Sequence, residues 1–441
     1  MAVELLEPGR RWSNWGRVET AQPVWVARPT TIDDVVAVVR RARELGMPIK
    51  AIGAGHSFTA IAAAPGVQLD LAGLDGLLAV DAATRRVTLG AGTNLYQLPA
   101  LLAPHGLAME NLGDIDAQTI AGATSTGTHG TGATFRGLAA QLVAATLVTA
   151  DGAVLRVSET ESPDLWPAVR LGLGALGILV DVTVQCVPAF ALHAVERPEP
   201  LNEVLEAFGE RVDAADHFEF YWFPHTETVL TKTNTRQPVD AALRPLGPVR
   251  RWFDDTLMSN GVFEVTCATG HLAPGLVPGI NRLATKLTGN RDFSDVSTSV
   301  FTTKRTVRFR ELEYAIEREA VPDAVRAIRS LIDSRGWRVS FPIEVRAAAS
   351  DDLWLSTAYG RETGYVAVHR YWREDHLEYF RAVEDVMRGF GGRPHWGKIH
   401  CQNAESLAAL YPRFGDFQVV RDRLDPERVF ANAYLDRVLG A

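Results

Sequence analysis

Two residues of opposite charge stand two apart in Pro342-Ile343-Glu344-Val345-Arg346, inside a stretch (339–346) whose alternation predicts a strand. Side chains two apart on a strand share a face, so Glu344 and Arg346 project together while Val345 points the other way. A carboxylate and a guanidinium on an otherwise apolar strand are costly to bury unless they are paired or used. In use, Glu344 is a general base or hydrogen-bond acceptor for a substrate hydroxyl, and Arg346 binds an oxygen or steadies negative charge. Out of use, they are a surface ion pair. A second set lies in Pro394-His395-Trp396-Gly397-Lys398-Ile399-His400, where Lys398 stands among three rings. Its ammonium either aims at a centre of developing negative charge or is simply solvated. His395 and His400 are five apart, which is not helical ligand spacing, and no acidic residue joins them, so no metal site is expected. The G-x-S-x-G elbow and the Walker loop are absent, which removes the commonest hydrolase and phosphotransferase readings.

Glycine-rich turns supply a different chemistry. Ile52-Gly53-Ala54-Gly55-His56-Ser57-Phe58 follows a short apolar strand, and glycines there let backbone N–H groups approach an anion closely. The dinucleotide fingerprint G-x-G-x-x-G is not met, because Phe58 stands at the third glycine position. Asn111-Leu112-Gly113-Asp114 precedes a run from Gly122 to Gly132 that holds Ser125, Thr128, His129 and Gly130 and almost no large side chain. Such a run cannot build core alone; it makes sense as backbone and hydroxyls wrapped around a polar ligand. Gly177 closes a third glycine cluster and leads into a strand from Ile178, again suited to close approach of a ligand. These segments read as a cradle for a flavin dinucleotide, its diphosphate on the Gly53–Ser57 loop, His56 at its ring and Lys398 at its N1/C2=O edge.

The elements that must position these groups are legible in part. A strand at 24–27 is followed by a helix opened by Thr31 with Asp34 three residues on, a capping-box pattern. Val35, Val39, Ala42 and Leu45 form its apolar stripe, and Gly46 and Pro48 stop it before the strand Ile49–Ile52. Hairpins are predicted at 77–89 and 142–157, with a strand at 178–187. After Pro188 the texture changes. His217 to Phe223 is an aromatic strand whose alternation is too imperfect to assign a solvated face; 321–335 and 377–387 read as helices, and 365–371 as a strand. The division expected is 1–188, 189–390 and 391–441.

Composition sets the outer limits. At 441 residues with 46% apolar content, the chain is long enough for two cores. A net charge of −8, with no basic cluster, argues against nucleic acid as a partner. Cys186, Cys267 and Cys401 are odd in number and far apart, so neither a disulfide framework nor a thiolate metal site is indicated. The first fifteen residues lack an apolar leader segment, and no run approaches the roughly 18 apolar residues of a membrane span. A cytoplasmic protein is expected, with peripheral membrane association left open.

Taken in order, Gly53-Ala54-Gly55-His56-Ser57-Phe58, Glu110-Asn111-Leu112-Gly113-Asp114, Thr128-His129-Gly130-Thr131-Gly132, Leu173-Gly174-Ala175-Leu176-Gly177, Pro342 to Arg346 and Pro394 to Lys398 resemble the sugar-lactone and sugar-alcohol oxidases of the vanillyl-alcohol-oxidase flavoprotein superfamily. The likeness is greatest to the L-gulono-1,4-lactone and D-arabinono-1,4-lactone oxidases and dehydrogenases. It implies an α+β protein: a two-subdomain FAD-binding domain (vanillyl-alcohol oxidase/PCMH type), a cap domain with a large antiparallel sheet, and a last segment returning to the FAD domain. It further implies FAD bonded covalently through His56, and Glu344, Arg346 and Lys398 at the site of hydride transfer from a carbinol carbon to flavin N5. The substrate implied is a small sugar lactone or polyol. Gly113 matches a position on the route of oxygen to the flavin, which favours an oxidase releasing hydrogen peroxide; a dehydrogenase with another electron acceptor is the alternative. Asp114 and His369-Arg370-Tyr371 depart from the alditol-oxidase pattern, which favours a lactone over xylitol or sorbitol. A flavin-binding protein without turnover is the alternative of another class.

Overall fold

The computed structural model describes residues 5–287 and 289–441. Its first layer is a four-stranded sheet ordered Glu7–Pro8, Trp25–Ala27, Val67–Asp70, Ile49–Ile52, the last three parallel. Helix Ile32–Glu44 makes the crossover. Its capping box is formed: Thr31 accepts from the Asp34 N–H while the Asp34 carboxylate accepts from the Thr31 N–H. Val35, Val38, Val39 and Ala42 are buried against the sheet, but Leu45 is the helix cap and is exposed. A five-stranded antiparallel sheet follows, ordered Val154–Ser158, Leu142–Val148, Ile178–Gln185, Arg86–Gly90, Leu77–Asp81.

The glycine- and threonine-rich run is not irregular throughout. Ile120–Thr126 is a helix capped by the Thr119 side chain and ended by Gly127 at φ +80°. Its small residues let it lie close to the neighbouring backbone, with Ile120 and Ala123 fully buried, so it does contribute core. The residues after Gly127, from 128 to 131, have no regular secondary structure.

The third layer is an eight-stranded antiparallel sheet with Ile343–Ala348 and Thr363–Tyr371 near its middle, flanked by His217–Trp222 on one side and Phe309–Glu317 on the other. Period-two alternation gives it two unlike faces. Phe218, Phe220, Leu312, Tyr314, Val345, Val366 and Val368 pack under helices Val321–Arg335 and Leu377–Gly389. The opposite face presents Glu219, Tyr221, Glu311, Glu313, Glu344, Arg346 and His369 toward the two smaller sheets. The strand begins at Ile343 rather than 339; Pro342 lacks an N–H for the ladder, and its carbonyl accepts from His369 Nδ1 at 2.9 Å. Arg393–Pro394 is an edge strand of this large sheet, after which helices at 404–439 pack into the same core as Leu98, Ile120 and Leu142.

Candidate active site

Two connected cavities run between the sheets, with His56 and Ser57 lining both. The first, about 920 Å³, is lined by Ile52, Gly53, Ala54, Gly55, Gly122, Ser125, Gly177 and Ile178, with Lys50 and Gly174. The second, about 980 Å³, is lined by Phe58, Gly113, Asp114, Thr128, His129, Glu344, Arg346, His395 and Lys398. The Gly53–Phe58 loop is fixed from two sides. Trp15 N–H donates to Gly55 O at 2.8 Å, and Phe58 N–H donates to Gly397 O at 2.6 Å. A Cβ on Gly53 would stand 2.4 Å from Thr119 Oγ1, and Gly55 has φ +71°, so this turn requires glycine. An elongated channel with a glycine-lined stem and a polar head fits a dinucleotide.

Gly130 and Gly132 line neither cavity. A Cβ on Gly130 would meet Leu112 O at 2.4 Å, and Gly132 N–H donates to Ala347 O at 2.8 Å. At both positions the missing Cβ allows close approach of backbone to backbone. Of the three rings beside Lys398 in the sequence, His395 alone reaches the cavity: Trp396 is fully buried with Nε1–H on Leu355 O, and His400 bonds the Tyr434 hydroxyl.

Charge in the second cavity is arranged in chains. Arg346 donates Nε–H to Glu219 at 2.9 Å and is ion-paired with Glu344; Lys232 stands 3.4 Å from Glu219. Burial pushes the Glu344 carboxyl up and Arg346 only partly offsets it, which suits a proton acceptor. Lys398 is ion-paired with Glu311, and although burial alone would lower its pKa, Glu311 and Glu313 raise it, so it is a fixed cation. It stands 5.5 Å over the Phe58 ring. His56 stacks on Trp15 with centroids 5.3 Å apart; burial, then Lys398, pull its pKa down to about 4, leaving it neutral near pH 7. His129 faces oxygen acceptors with both nitrogens, Gly130 O at 2.8 Å and Glu313 Oε1 at 2.5 Å, so a proton is held between His129 and Glu313. His129, Glu313 and His395 are close enough to surround an ion. However, His395 Nδ1 accepts from the Gly397 N–H, which leaves its proton on Nε2. With His129 also committed to oxygen acceptors, these protonation states suit a hydrogen-bond cluster rather than a metal.

The sequence reading passed over Glu311, Glu313, Glu219, Tyr221 and Arg305, all of which join this site. Glu311 and Glu313 carry the same two-apart signature as Glu344 and Arg346, within Phe309 to Glu317. Glu219 and Tyr221 were hidden by the aromatics between them, which turn out to face the opposite core. Arg305 sits in a loop with no periodic signal at all.

Architecture and site define an FAD-dependent oxidoreductase. Residues 23–158 match the FAD binding domain family, and the crystal structure of cholesterol oxidase from B. sterolicum shares the fold, at TM-score 0.84 and 21% identity over 98% of this chain and 97% of that one. More narrowly, residues 182–438 match the D-arabinono-1,4-lactone oxidase family, and the chain belongs to it. It is 44% identical to the L-gulono-1,4-lactone dehydrogenase of Mycobacterium tuberculosis over 97% of this chain and 99% of that one. Identity is 33% to the L-gulonolactone oxidase of Bos taurus, covering 98% of each, and 31% to the alditol oxidase of a Streptomyces species, covering 97% and 98%. Among the described residues no helix is long and apolar enough to cross a membrane.

Proposed function

We propose that the protein oxidises the secondary hydroxyl at C2 of an aldono-1,4-lactone of the L-gulono, L-galactono or D-arabinono type, giving a keto-lactone that enolises to an ascorbate-type product. The observation that carries this reading is the buried Glu344–Arg346–Glu219 set facing the same cavity as His56 and Lys398, in a chain similar to lactone oxidases and dehydrogenases. When bound, FAD supplies the two-electron acceptor for the carbinol C–H. Residues 1–188 form its domain, 189–390 the cap, and 391–441 return to it. The Gly53–Ser57 loop with Gly122, Ser125, Gly177 and Ile178 holds the dinucleotide stem, and His56, neutral and shared by both cavities, is the residue of covalent attachment.

Glu344 takes the hydroxyl proton, its carboxyl already raised by burial. Arg346 holds Glu344 in place, and Lys398 supplies fixed positive charge where negative charge develops. Phe58, Phe309 and Phe341 form apolar walls of the cavity that orient the substrate, from which much of the rate derives. Gly113 leaves room for dioxygen as the second substrate: a Cβ there would meet His129 O at 3.2 Å. The three unbridged cysteines support a reducing, cytoplasmic setting. Anaerobic mixing tests the reading: L-gulono-, L-galactono- or D-arabinono-1,4-lactone is expected to bleach the flavin absorbance. Bleaching by xylitol or sorbitol but by none of the lactones would replace it with alditol oxidation.

A further inference from the structure

The loop between helix Ser297–Phe301 and strand Phe309–Glu317 contributes Arg305 to the lining of the second cavity and is pinned on two sides. On one side Thr303 N–H and Oγ1–H donate to Asp114 O and Oδ1, at 3.0 and 2.6 Å, and Arg305 donates Nε–H and Nη2–H to Asp114 Oδ2, at 3.0 and 2.5 Å. On the other, Asn260 accepts from the Thr306 N–H and hydroxyl and donates to Lys304 O. Arg305 is therefore a held group rather than a waving surface side chain. Burial pushes the Asp114 carboxyl up, but Arg305, then Arg346 and Lys232, outweigh it and hold it ionised. Of the three cations lining the cavity, Arg305 has the most accessible side chain, at 37% against 20% for Lys398 and 13% for Arg346. Both of its bonds to Asp114 use Nε and Nη2, and among the described residues Nη1 has no hydrogen-bond partner.

The rest of the charged lining is rich in acceptors: Glu311, Glu313, Glu344 and Asp114. Carboxylates recognise hydroxyl groups, which can donate. A lactone carbonyl oxygen can only accept, so it gains nothing from them and requires an N–H or O–H. Arg346 is committed to Glu219 and Glu344, and Lys398 to Glu311. We propose that Arg305, oriented by Asp114, binds the carbonyl oxygen of the lactone through its Nη1 edge and so sets the preference for a lactone over an open-chain polyol. A hydroxyl offered to the same edge can also accept, but a polyol loses less with the guanidinium, since its hydroxyls also donate to the carboxylates around it. The discrimination thus falls on the one group that cannot donate.

The inference rests on the lactone reading above, and the test separates the two. Steady-state KM would be measured for L-gulono-1,4-lactone, with xylitol as substrate or competitive inhibitor, in the wild type and in Arg305→Met, Arg305→Lys and Thr303→Val. Equilibrium binding of a 2-deoxy-aldonolactone, which lacks the hydroxyl to be oxidised, would be followed by perturbation of the visible flavin spectrum. Arg305→Met is expected to raise the lactone KM and the 2-deoxy-lactone Kd about tenfold or more, since a hydrogen bond to a charged group is lost, and to move the xylitol constant less than about threefold. Arg305→Lys should recover part of the difference and also serves if Arg305→Met does not fold. Thr303→Val loosens the same loop with the guanidinium in place, and should shift lactone and xylitol alike. Equal shifts for lactone and xylitol in both Arg305 variants would overturn the assignment while leaving lactone oxidation standing. A wild type that no lactone reduces would instead remove the reading beneath it.

Discussion

Arg346→Ala isolates the electrostatic logic of the site. One guanidinium serves two buried carboxylates, and they do not lose equally when it goes. Glu219 keeps Lys232 at 3.4 Å. Among the described residues Glu344 keeps the Tyr221 hydroxyl, at 3.4 Å, and is left as a buried carboxyl with no cation in ion-pair contact. Removing one partner of a buried pair costs about 3–5 kcal/mol. The penalty depends on pH with a definite sign. Burial already raises the Glu344 pKa in the wild type, and loss of Arg346 raises it further above the unfolded value of about 4.3. A carboxyl with a raised folded pKa destabilises the fold only where the unfolded chain can ionise. Relative to the wild type, the loss therefore starts near the raised wild-type pKa of Glu344, grows as pH rises toward the variant's still higher one, and is flat above it. Urea unfolding is expected to show the full loss of about 3–5 kcal/mol at pH 8 and a smaller one at pH 5. Adding Glu344→Gln to Arg346→Ala should restore most of the stability at pH 8, because the orphaned charge is gone, yet restore no lactone-driven flavin reduction. A loss equal at both pH values, or a double variant no more stable than the single one, would refute the idea that Arg346 compensates a buried Glu344 carboxylate.

Other outcomes follow from the same geometry. Wild-type protein should stay yellow after acid precipitation, and His56→Ala should release its flavin or be purified without it; absorbance of the acid supernatant decides this. Gly113→Ala would bring a Cβ to 3.2 Å from His129 O and 3.3 Å from Thr128 Cγ2, a squeeze the loop can absorb. It is expected to fold, to be reduced by lactone at a near-normal rate, and to be reoxidised by dioxygen at least tenfold more slowly in stopped flow. Glu313→Gln should cost about 1.5–3 kcal/mol near pH 7, because the buried His129 ring loses its hydrogen bond to a charged acceptor. Although burial raises it, the Glu313 carboxyl is held well below its usual value by His129. The stability that Glu313 confers is thus present above about pH 4.3 and fades as pH falls through its lowered pKa, so urea midpoints of variant and wild type should converge in acid.

Much was legible without coordinates because it is local. The capping box at Thr31 and Asp34, the hairpin strands from Leu77 and Leu142, and the shared face of Glu344 and Arg346 are set by backbone periodicity and neighbours a few residues away. Glycines needed for a turn were visible at Gly53 and Gly55, yet the same residue type at Gly130 and Gly132 answered to a different cause. Sequence shows that a Cβ is missing, not which atom would have collided with it: Thr119 Oγ1 at Gly53, but Leu112 O at Gly130. Likewise the run from Gly122 reads as unable to build core alone, yet its first residues continue a helix, Ile120–Thr126, whose Ile120 and Ala123 are fully buried by residues distant in sequence.

Long-range pairing alone decided how the charges are shared. That Lys398 meets Glu311, His129 meets Glu313, and Asp114 meets Arg305 depends on strands and loops separated by 87, 184 and 191 residues. Alternation along each strand fixes which side a carboxylate faces, whereas only the order and register of the eight-stranded sheet fix which cation stands opposite. The amino-acid sequence thus determined that this protein sets opposite charges on one face of a strand and carries glycine-rich turns suited to a polar ligand; their burial beside one another is a property of the tertiary structure. The tertiary structure determined which of those charges are cancelled and which remain available to a substrate, because Coulomb attraction depends on distance through space and not along the chain.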